Sequence, residues 1–188
     1  MKQGRLYIIS GSSGSGKGTV TDLLLGKYPS QLRRIPTATT RVMRAGEKNG
    51  VGHYFISKKE FENKISNGQL LEHFEFDDHL YGTLRQPVID VLGNGTDAIL
   101  EVDVRGAREV RQNFPVAISI FIKASTPADL RRRLLIRGTE SMKNIEQRLS
   151  YAARELSIAN REYDHIVVNP AGHPEKAVAE IEKLLKVV

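Results

Sequence analysis

The arrangement of apolar and polar positions predicts strands that alternate with helices along most of the chain. Residues 6–10 form a short apolar run rich in β-forming side chains, which is typical of a buried strand. The same pattern predicts further strands at 98–102, 116–122 and 165–168. Because helical patterns separate these runs, the sequence favours an α/β fold whose core is a parallel sheet with helices on both faces.

The helices are predicted from apolar spacing and from the residues at their ends. Apolar residues recur at helical spacing from Val20 until Pro29 ends the pattern. Residues 126–129 supply a threonine N-cap, a proline at the first helical position and an acid in the first turn, and Gly138 is expected to end that helix. Two further helices are predicted at 144–162 and 174–185.

The segment at about 34–92 differs from the rest of the chain. It is polar, dense in arginine, lysine, histidine and tyrosine, and contains the turn signals Ala45-Gly46 and Asn49-Gly50. Residues 57–60 have the spacing of a capping box, so a short helix is predicted to begin there and to end at Asn67-Gly68. We interpret this segment as a lobe inserted into the α/β core.

The composition is that of a globular protein with one domain. The chain has 188 residues, of which 40% are hydrophobic and 27% charged, and no apolar run approaches the roughly 20 residues that a membrane helix needs. Its 28 basic and 22 acidic residues give a formal net charge of +6, which favours an anionic partner. Nucleic acid, an acidic membrane surface and phosphorylated small molecules all meet that description. The absence of cysteine excludes disulfides and thiolate metal sites and fits a cytoplasmic protein.

The most informative stretch lies between the first strand and the first helix. It consists of Gly11-Ser12-Ser13-Gly14-Ser15-Gly16-Lys17-Gly18-Thr19. Its glycines let backbone N–H groups turn inward and the following helix presents its positive end, so the loop is suited to binding phosphates. Lys17 is expected to reach the β- and γ-phosphates of a nucleotide, and Thr19 to contact a phosphate or a magnesium ion, partly through water. A surface turn without a ligand is the alternative.

A second candidate site lies in the lobe. Arg41 and Arg44 are three residues apart in a turn-rich stretch, and Tyr54 and Tyr81 follow them. Arginine binds phosphate through two parallel hydrogen bonds and phenolic hydroxyls add directed ones, so these side chains are a candidate clamp for an acceptor phosphate. On these residues alone, a solvated basic loop is an equal alternative.

Several ordered blocks together resemble the guanylate kinase family, from about Leu6 to the last helix. The blocks are Gly16-Lys17-Gly18-Thr19, Thr39-Thr40-Arg41 with Arg44-Ala45-Gly46-Glu47, Leu71-Glu72-His73, Leu80-Tyr81-Gly82-Thr83, Leu100-Glu101-Val102-Asp103 with Gly106, Arg137-Gly138-Thr139-Glu140 and Val167-Val168-Asn169. The resemblance implies the fold of kinases with a phosphate-binding loop (the P-loop), with an inserted GMP-binding lobe and a lid that bears arginines.

The resemblance also implies roles for residues of the acceptor site. The residues that match the family's GMP-phosphate contacts are Arg41, Arg44, Tyr54 and Tyr81. The residues that match its guanine contacts are Thr37, Glu72, Thr83 and Asp103. This agrees with the chemistry of guanine, whose N1–H and 2-amino groups donate to carboxylates and whose O6 accepts from a hydroxyl. Adenine lacks that donor pattern, and sites built on such bonds reject the wrong ligand by about 10⁴ or more.

For the transferred phosphoryl group, the resemblance implies a set of positive side chains. The matching catalytic residues are Lys17, Arg41, Arg133, Arg137, Arg148 and Asp103. Asn169 matches a contact to the adenine of the donor, beside the loop at 11–19. A loose transition state with dispersed charge needs positioning and positive charge more than a nucleophile, which suits arginine, lysine and magnesium. ATP as co-substrate and Mg²⁺ as cofactor are therefore expected.

The predicted reaction is ATP + GMP = ADP + GDP, within purine nucleotide metabolism. We expect a single guanylate kinase-like domain with its core at about 1–33, 93–136 and 163–188, its GMP-binding lobe at about 34–92 and its lid at about 137–162. The expected partners are GMP and ATP, and neither nucleic acid nor a membrane is expected to bind. The oligomeric state, a homo-oligomer included, is left open. The alternatives are a related phosphotransferase for another small phosphorylated acceptor and a non-catalytic guanylate kinase-like binding module.

Overall fold

A computed structural model describes residues 3–137 and 142–185, with only the backbone of Arg137. Within these residues the chain forms nine strands and seven helices. In chain order they are β1 (Leu6–Gly11), α1 (Lys17–Lys27), β2 (Leu32–Arg34), β3 (Thr37–Thr39), β4 (His53–Phe55), α2 (Lys58–Ser66), β5 (Leu70–Phe76), β6 (His79–Leu84), α3 (Arg85–Gly93), β7 (Asp97–Glu101), α4 (Val104–Asn113), β8 (Ile118–Ala124), α5 (Pro127–Arg137), α6 (Met142–Glu162), β9 (His165–Asn169) and α7 (Pro174–Leu185).

The larger sheet has five strands in the order β2-β7-β1-β8-β9. The pairs β2–β7 and β8–β9 are parallel. Parallel neighbours need long crossover connections, and the helices of the predicted strand–helix alternation supply them. The predicted α/β fold with a parallel core sheet is confirmed.

The second sheet has four strands in the order β4-β3-β6-β5 and lies within the segment that the sequence marks as a lobe. The pair β3–β4 is parallel, whereas β3–β6 and β5–β6 are antiparallel. The sequence pattern predicted none of these four strands. For β3 and β4 the reason is that three residues each are too few to show alternation.

The chain divides into two compact units. One contains the residues up to Ile8 together with Leu32–Ile118, and the other contains Ile9–Gln31 together with the chain from Ser119 onward. Each has its own apolar cluster. In the first unit, Ala38, Phe61 and Leu70 are buried together, so α2 packs on the four-stranded sheet. In the second, the buried cluster is Ala124, Leu130, Leu134, Ile145 and Ala152, which joins α5 to α6.

The predicted ends of α1, α2 and α6 agree with the structure to within two residues, whereas three predicted starts differ, that of β7 by one residue because it begins at Asp97. Ser57 caps α2 by accepting a hydrogen bond from the Glu60 N–H at 3.2 Å, as the capping box predicts. β8 begins at Ile118, two residues after the predicted start, because Val116 is 80% exposed and adds nothing to the core. α6 begins at Met142 instead of residue 144. The predicted stop at Gly138 lies outside the described residues. No helix among the described residues is both long and apolar enough to span a membrane.

Candidate active site

The glycine-rich loop joins the end of β1 to the start of α1, as the sequence predicts. Lys17 is the first residue of α1, and Gly16 is its N-cap, with φ of 85° and no side-chain cap. A helix start without a side-chain cap directs its first N–H groups to an outside acceptor, which a phosphate supplies. Gly16 must be glycine on two counts: its φ is left-handed, and a Cβ there would collide with the Asn169 amide.

Two side chains from distant parts of the second unit hold the loop through one carbonyl. Asn169 Nδ2 donates to the Ser15 carbonyl at 2.8 Å, and Arg133 Nη1 donates to the same oxygen at 3.1 Å. Arg133 also donates to the Asn169 carbonyl at 2.7 Å. The Asp129 carboxylate holds the guanidinium of Arg133 in place, with Arg133 Nη2 at 2.7 Å from Asp129 Oδ2. Arg133 is therefore oriented at the loop before any ligand arrives.

The other predicted lid arginines differ in how far they can be placed. Arg148 Nη1 donates to the Ser13 hydroxyl at 2.8 Å, so it also lies at the loop. The side chain of Arg137 lies outside the described residues. Arg131 and Arg132 pair with Glu146 and Asp129 and keep 43% and 61% of their side chains exposed, as expected of a solvated helix face.

A cavity of about 320 Å³ lies beside the loop, bounded by Gly14, Gly16, Thr19, Arg133 and Asn169. Asn169 Oδ1 is buried without a hydrogen-bond partner. Such a buried acceptor is costly unless a ligand donor satisfies it.

Few side chains near the loop at 11–19 could bind a magnesium ion. Among the described residues there is no group of three or more histidine, cysteine, aspartate or glutamate side chains that could cage a metal ion. Magnesium carried by nucleotide phosphates needs only one or two protein oxygens, because the phosphates and water supply the others. The exposed hydroxyl of Thr19, at the edge of the cavity, meets that need.

In the first unit, Glu72 and Thr83 face each other across strands β5 and β6. Both side chains are buried, and the Thr83 hydroxyl donates to Glu72 Oε1 at 2.7 Å. The second oxygen, Oε2, is buried and has no hydrogen-bond partner among the residues that the structure describes. Burial raises the pKa of the Glu72 carboxyl to about 7; the Thr83 hydrogen bond opposes this rise, and the charges of Glu109 and Asp103 add to it.

The start of α4 closes the space around the Glu72 carboxylate. Asp103 is the N-cap of α4 and accepts from the Arg105 and Gly106 N–H groups at 3.0 and 2.9 Å. A Cβ on Gly106 would lie 3.1 Å from Glu72 Oε2, so the helix approaches the carboxylate closely only because this residue is glycine. The fold thus brings together three predicted guanine contacts, Glu72, Thr83 and Asp103.

The two predicted clamp arginines are joined by one carboxylate, that of Glu47. Arg41 donates to both Glu47 oxygens, at 3.1 and 2.8 Å, and the Arg44 N–H donates to Glu47 Oε2 at 2.7 Å. The Arg41 hydrogen bonds, followed by the Arg44 N–H, hold the pKa of Glu47 down at about 2. The guanidinium of Arg41 also lies 5.3 Å from the centre of the Phe55 ring. Glu47 has no site role in the sequence analysis, although the residue belongs to the block Arg44-Ala45-Gly46-Glu47. Its position three residues after Arg44 was the feature from which this contact could have been predicted.

The remaining predicted acceptor residues lie on two different faces. Thr37 Oγ1 is 2.7 Å from His53 Nδ1, and the His53 ring meets the Tyr81 ring edge-on at 6.3 Å. Tyr54 instead packs against the buried cluster that contains Phe61. The structure therefore brings Thr37 and Tyr81 together with His53, a residue with no site role in the sequence analysis, and it does not bring Tyr54 to them.

The fold and the loop define a nucleotide-binding protein of the P-loop class: a strand, a glycine-rich turn and a helix that begins at the lysine. The Guanylate kinase family model matches residues 3–187. The chain is 40% identical to a guanylate kinase of Synechococcus sp. (strain JA-3-3Ab) over 97% of this chain and 82% of that one. It is 44% identical to one of Thermosynechococcus vestitus over 88% and 86% of the two chains. The solved guanylate kinase of Anaplasma phagocytophilum aligns with a TM-score of 0.73 and 29% identity, over 99% of this chain and 86% of that one. The chain belongs to the guanylate kinase family.

Proposed function

We propose that this protein transfers the terminal phosphoryl group of ATP to GMP, giving ADP and GDP. The observation that carries the proposal is the buried Glu72 carboxylate, whose Oε2 has no partner while Thr83 occupies Oε1. An unsatisfied buried carboxylate oxygen selects a ligand with neighbouring N–H donors, and the N1–H and 2-amino groups of guanine are such donors.

The acceptor base is selected by hydrogen bonds that only guanine completes. Glu72 accepts from guanine, Thr83 holds the carboxylate in position, and Thr37 and Asp103 add polar contacts around the ring. Adenine in this place would leave Oε2 unpaired and set its own ring nitrogen against a carboxylate. The cost of such a mismatch accounts for selectivity of about 10⁴ without any further device.

The acceptor phosphate is bound by positive charge that is already in position. Arg41 is held by Glu47 and Phe55, and Arg44 follows in the same turn. Because the guanidinium of Arg41 is oriented before binding, little side-chain entropy is lost when a phosphate arrives. Tyr81 completes this side of the clamp with a phenolic hydroxyl.

The donor triphosphate lies at the loop and the start of α1. Backbone N–H groups at 11–19 and the Lys17 ammonium bind the phosphates, and Asn169 contacts the adenine. Arg133, Arg137 and Arg148 place positive charge on the transferred group, where charge is dispersed in the transition state. Magnesium bound with the donor phosphates offsets their negative charge, with Thr19 as its protein contact, directly or through water. No side chain is assigned as a general base.

The proposal is tested by ADP release with ATP and magnesium, offering GMP, AMP, UMP and a sugar phosphate in parallel. We expect turnover with GMP alone. Lys17→Ala should abolish it, whereas Lys27→Ala at the other end of α1 should not. Glu72→Gln should weaken GMP selectively, whereas Glu75→Gln, exposed on the same strand, should leave it unchanged. Preference for another acceptor would refute the guanine site, and no turnover would favour a binding module.

The finer sequence predictions stay predictions. These are the boundaries of core, lobe and lid within one domain, the roles of individual site residues, the cytoplasmic location, the use of Mg²⁺ and the absence of a nucleic-acid partner. RNA that fails to compete with GMP would support the last of these. EDTA that abolishes turnover, with recovery on added magnesium, would support the use of Mg²⁺. Light scattering would decide whether the chain forms a homo-oligomer.

A further inference from the structure

Strand β4 presents alternate side chains to opposite faces of the small sheet. The parallel register pairs Thr37 with His53, Ala38 with Tyr54 and Thr39 with Phe55. Successive residues of a strand point to opposite faces, so His53 and Phe55 share one face and Tyr54 takes the other.

Tyr54 lies on the face that packs against the core of the lobe. Its ring contacts the buried cluster of Ala38, Phe61 and Leu70. Its Cε1 would lie 3.4 Å from a Cβ placed on Gly50. The Tyr54 ring therefore contributes to the apolar packing of the lobe. Ala38, which pairs with Tyr54 in the neighbouring strand, is fully buried.

His53 lies on the face that carries the arginine clamp. Its Nδ1 is 2.7 Å from Thr37 Oγ1, and its ring meets Tyr81 edge-on at 6.3 Å. Arg41 lies over the Phe55 ring on the same face. Four groups with polar or positive character, from β3, β4, β6 and the arginine turn, therefore surround one space.

We infer that His53, and not Tyr54, completes the acceptor-phosphate clamp with Arg41 and Tyr81, by donating a hydrogen bond from Nε2 to a phosphate oxygen of GMP. This inference rests on the proposed function and names a residue of its acceptor site. The side-chain contact with Thr37 engages Nδ1, the other nitrogen of the ring. In this role the imidazole N–H of His53 takes the place of the phenolic hydroxyl that was predicted for Tyr54.

The contact between Thr37 and His53 is compatible with the imidazole tautomer that this role needs. When the Thr37 hydroxyl donates to Nδ1, the ring proton of neutral His53 sits on Nε2, where it can be given to a phosphate. In that arrangement the Thr37 oxygen keeps its capacity to accept a hydrogen bond. His53 thereby links the group that binds the base to the group that binds the phosphate.

The charges around His53 predict how GMP binding depends on pH. Burial lowers the pKa of His53, and Arg41 and Arg44 lower it further, while Glu47 and the backbone of Thr37 oppose them. A bound phosphate dianion brings negative charge to the same face and so favours the imidazolium. GMP is therefore expected to bind more tightly as the pH falls into the range in which His53 gains a proton.

The test compares His53→Phe and His53→Gln with Tyr54→Phe, a control that removes only a hydroxyl. Titration calorimetry with GMP and with guanosine separates the phosphate contact from base recognition. We expect His53→Phe to weaken GMP roughly tenfold to hundredfold, the usual loss for a hydrogen bond to a charged group, with guanosine unchanged. His53→Gln keeps one N–H donor and should lose less. Tyr54→Phe should bind both ligands as the wild type does.

The pH profile adds a readout that a packing role would not change. The ratio of GMP affinities, wild type over His53→Gln, should rise as the pH falls from 8 to 5.5, because Glu72 and GMP titrate alike in both proteins. A flat ratio, an equal loss of guanosine binding, or a loss confined to Tyr54→Phe would each overturn the inference. If the wild type binds no GMP, the proposed function fails instead. Should His53→Phe fail to fold, His53→Gln and its pH profile decide.

Discussion

The carboxyl group of Glu72 should cost the nucleotide-free protein stability at neutral and alkaline pH. Its side chain is 2% exposed, and burial raises its pKa from 4.5 to about 7. The folded state therefore binds the proton more tightly than the unfolded state does. Stability is unaffected by this group below about pH 4.5, falls as the pH rises from 4.5 to 7, and stays reduced above that range.

The magnitude follows from the size of the shift. The difference between about 7 and 4.5 is about 2.5 pH units, and at about 1.36 kcal/mol per unit the cost is about 3 kcal/mol. Glu72→Gln removes the charge and keeps an oxygen for the Thr83 hydroxyl. The variant should exceed the wild type in free energy of unfolding by about 3 kcal/mol at pH 8 and by about 1 kcal/mol at pH 5.

Urea unfolding without nucleotide at these two pH values measures the effect, with Glu75→Gln as the control. Saturating GMP should nearly cancel the difference at pH 8, because the variant loses hydrogen bonds to a charged group worth roughly a hundredfold in affinity, or about 2.7 kcal/mol of stabilisation by the ligand. A stability difference that is the same at pH 5 and pH 8 would refute this account, as would a variant less stable than the wild type at both.

Three further outcomes follow from the geometry. Gly106→Ala should raise the KM for GMP, because its Cβ would lie 3.1 Å from Glu72 Oε2; Gly93→Ala, with no atom near its added Cβ, is the control in steady-state kinetics. Asp129→Asn should lower kcat more than it raises the KM for ATP, because Arg133 loses its carboxylate partner; equal changes in both would contradict a role in the transition state. Gly16→Ala should abolish ATP binding in calorimetry, and retained binding would contradict the collision with Asn169.

The loop at 11–19 could be predicted from the sequence because its determinants are contiguous. Glycines, a lysine and the flanking apolar runs lie next to one another, and local backbone conformation alone shapes the phosphate-binding turn. The α/β class followed for the same reason, since helical and strand periodicity are local properties. The positions of the acceptor residues were predicted by resemblance, because nothing in their spacing indicates that Glu72 and Thr83 share one pocket.

Tertiary structure alone decided which side chains meet. Arg133 reaches the Ser15 carbonyl across 118 residues, a contact that nothing in the sequence indicates. Its Asp129 partner, four residues earlier on the same helix, is a local pair that helical spacing does indicate. In β4 the choice between His53 and Tyr54 depends on strand register, because a shift of one residue exchanges the two faces of a strand. A three-residue strand carries too little pattern to fix that register. Its pairing with β3, and the burial of Phe61 beneath it, turn Tyr54 to the core and His53 to the arginine clamp.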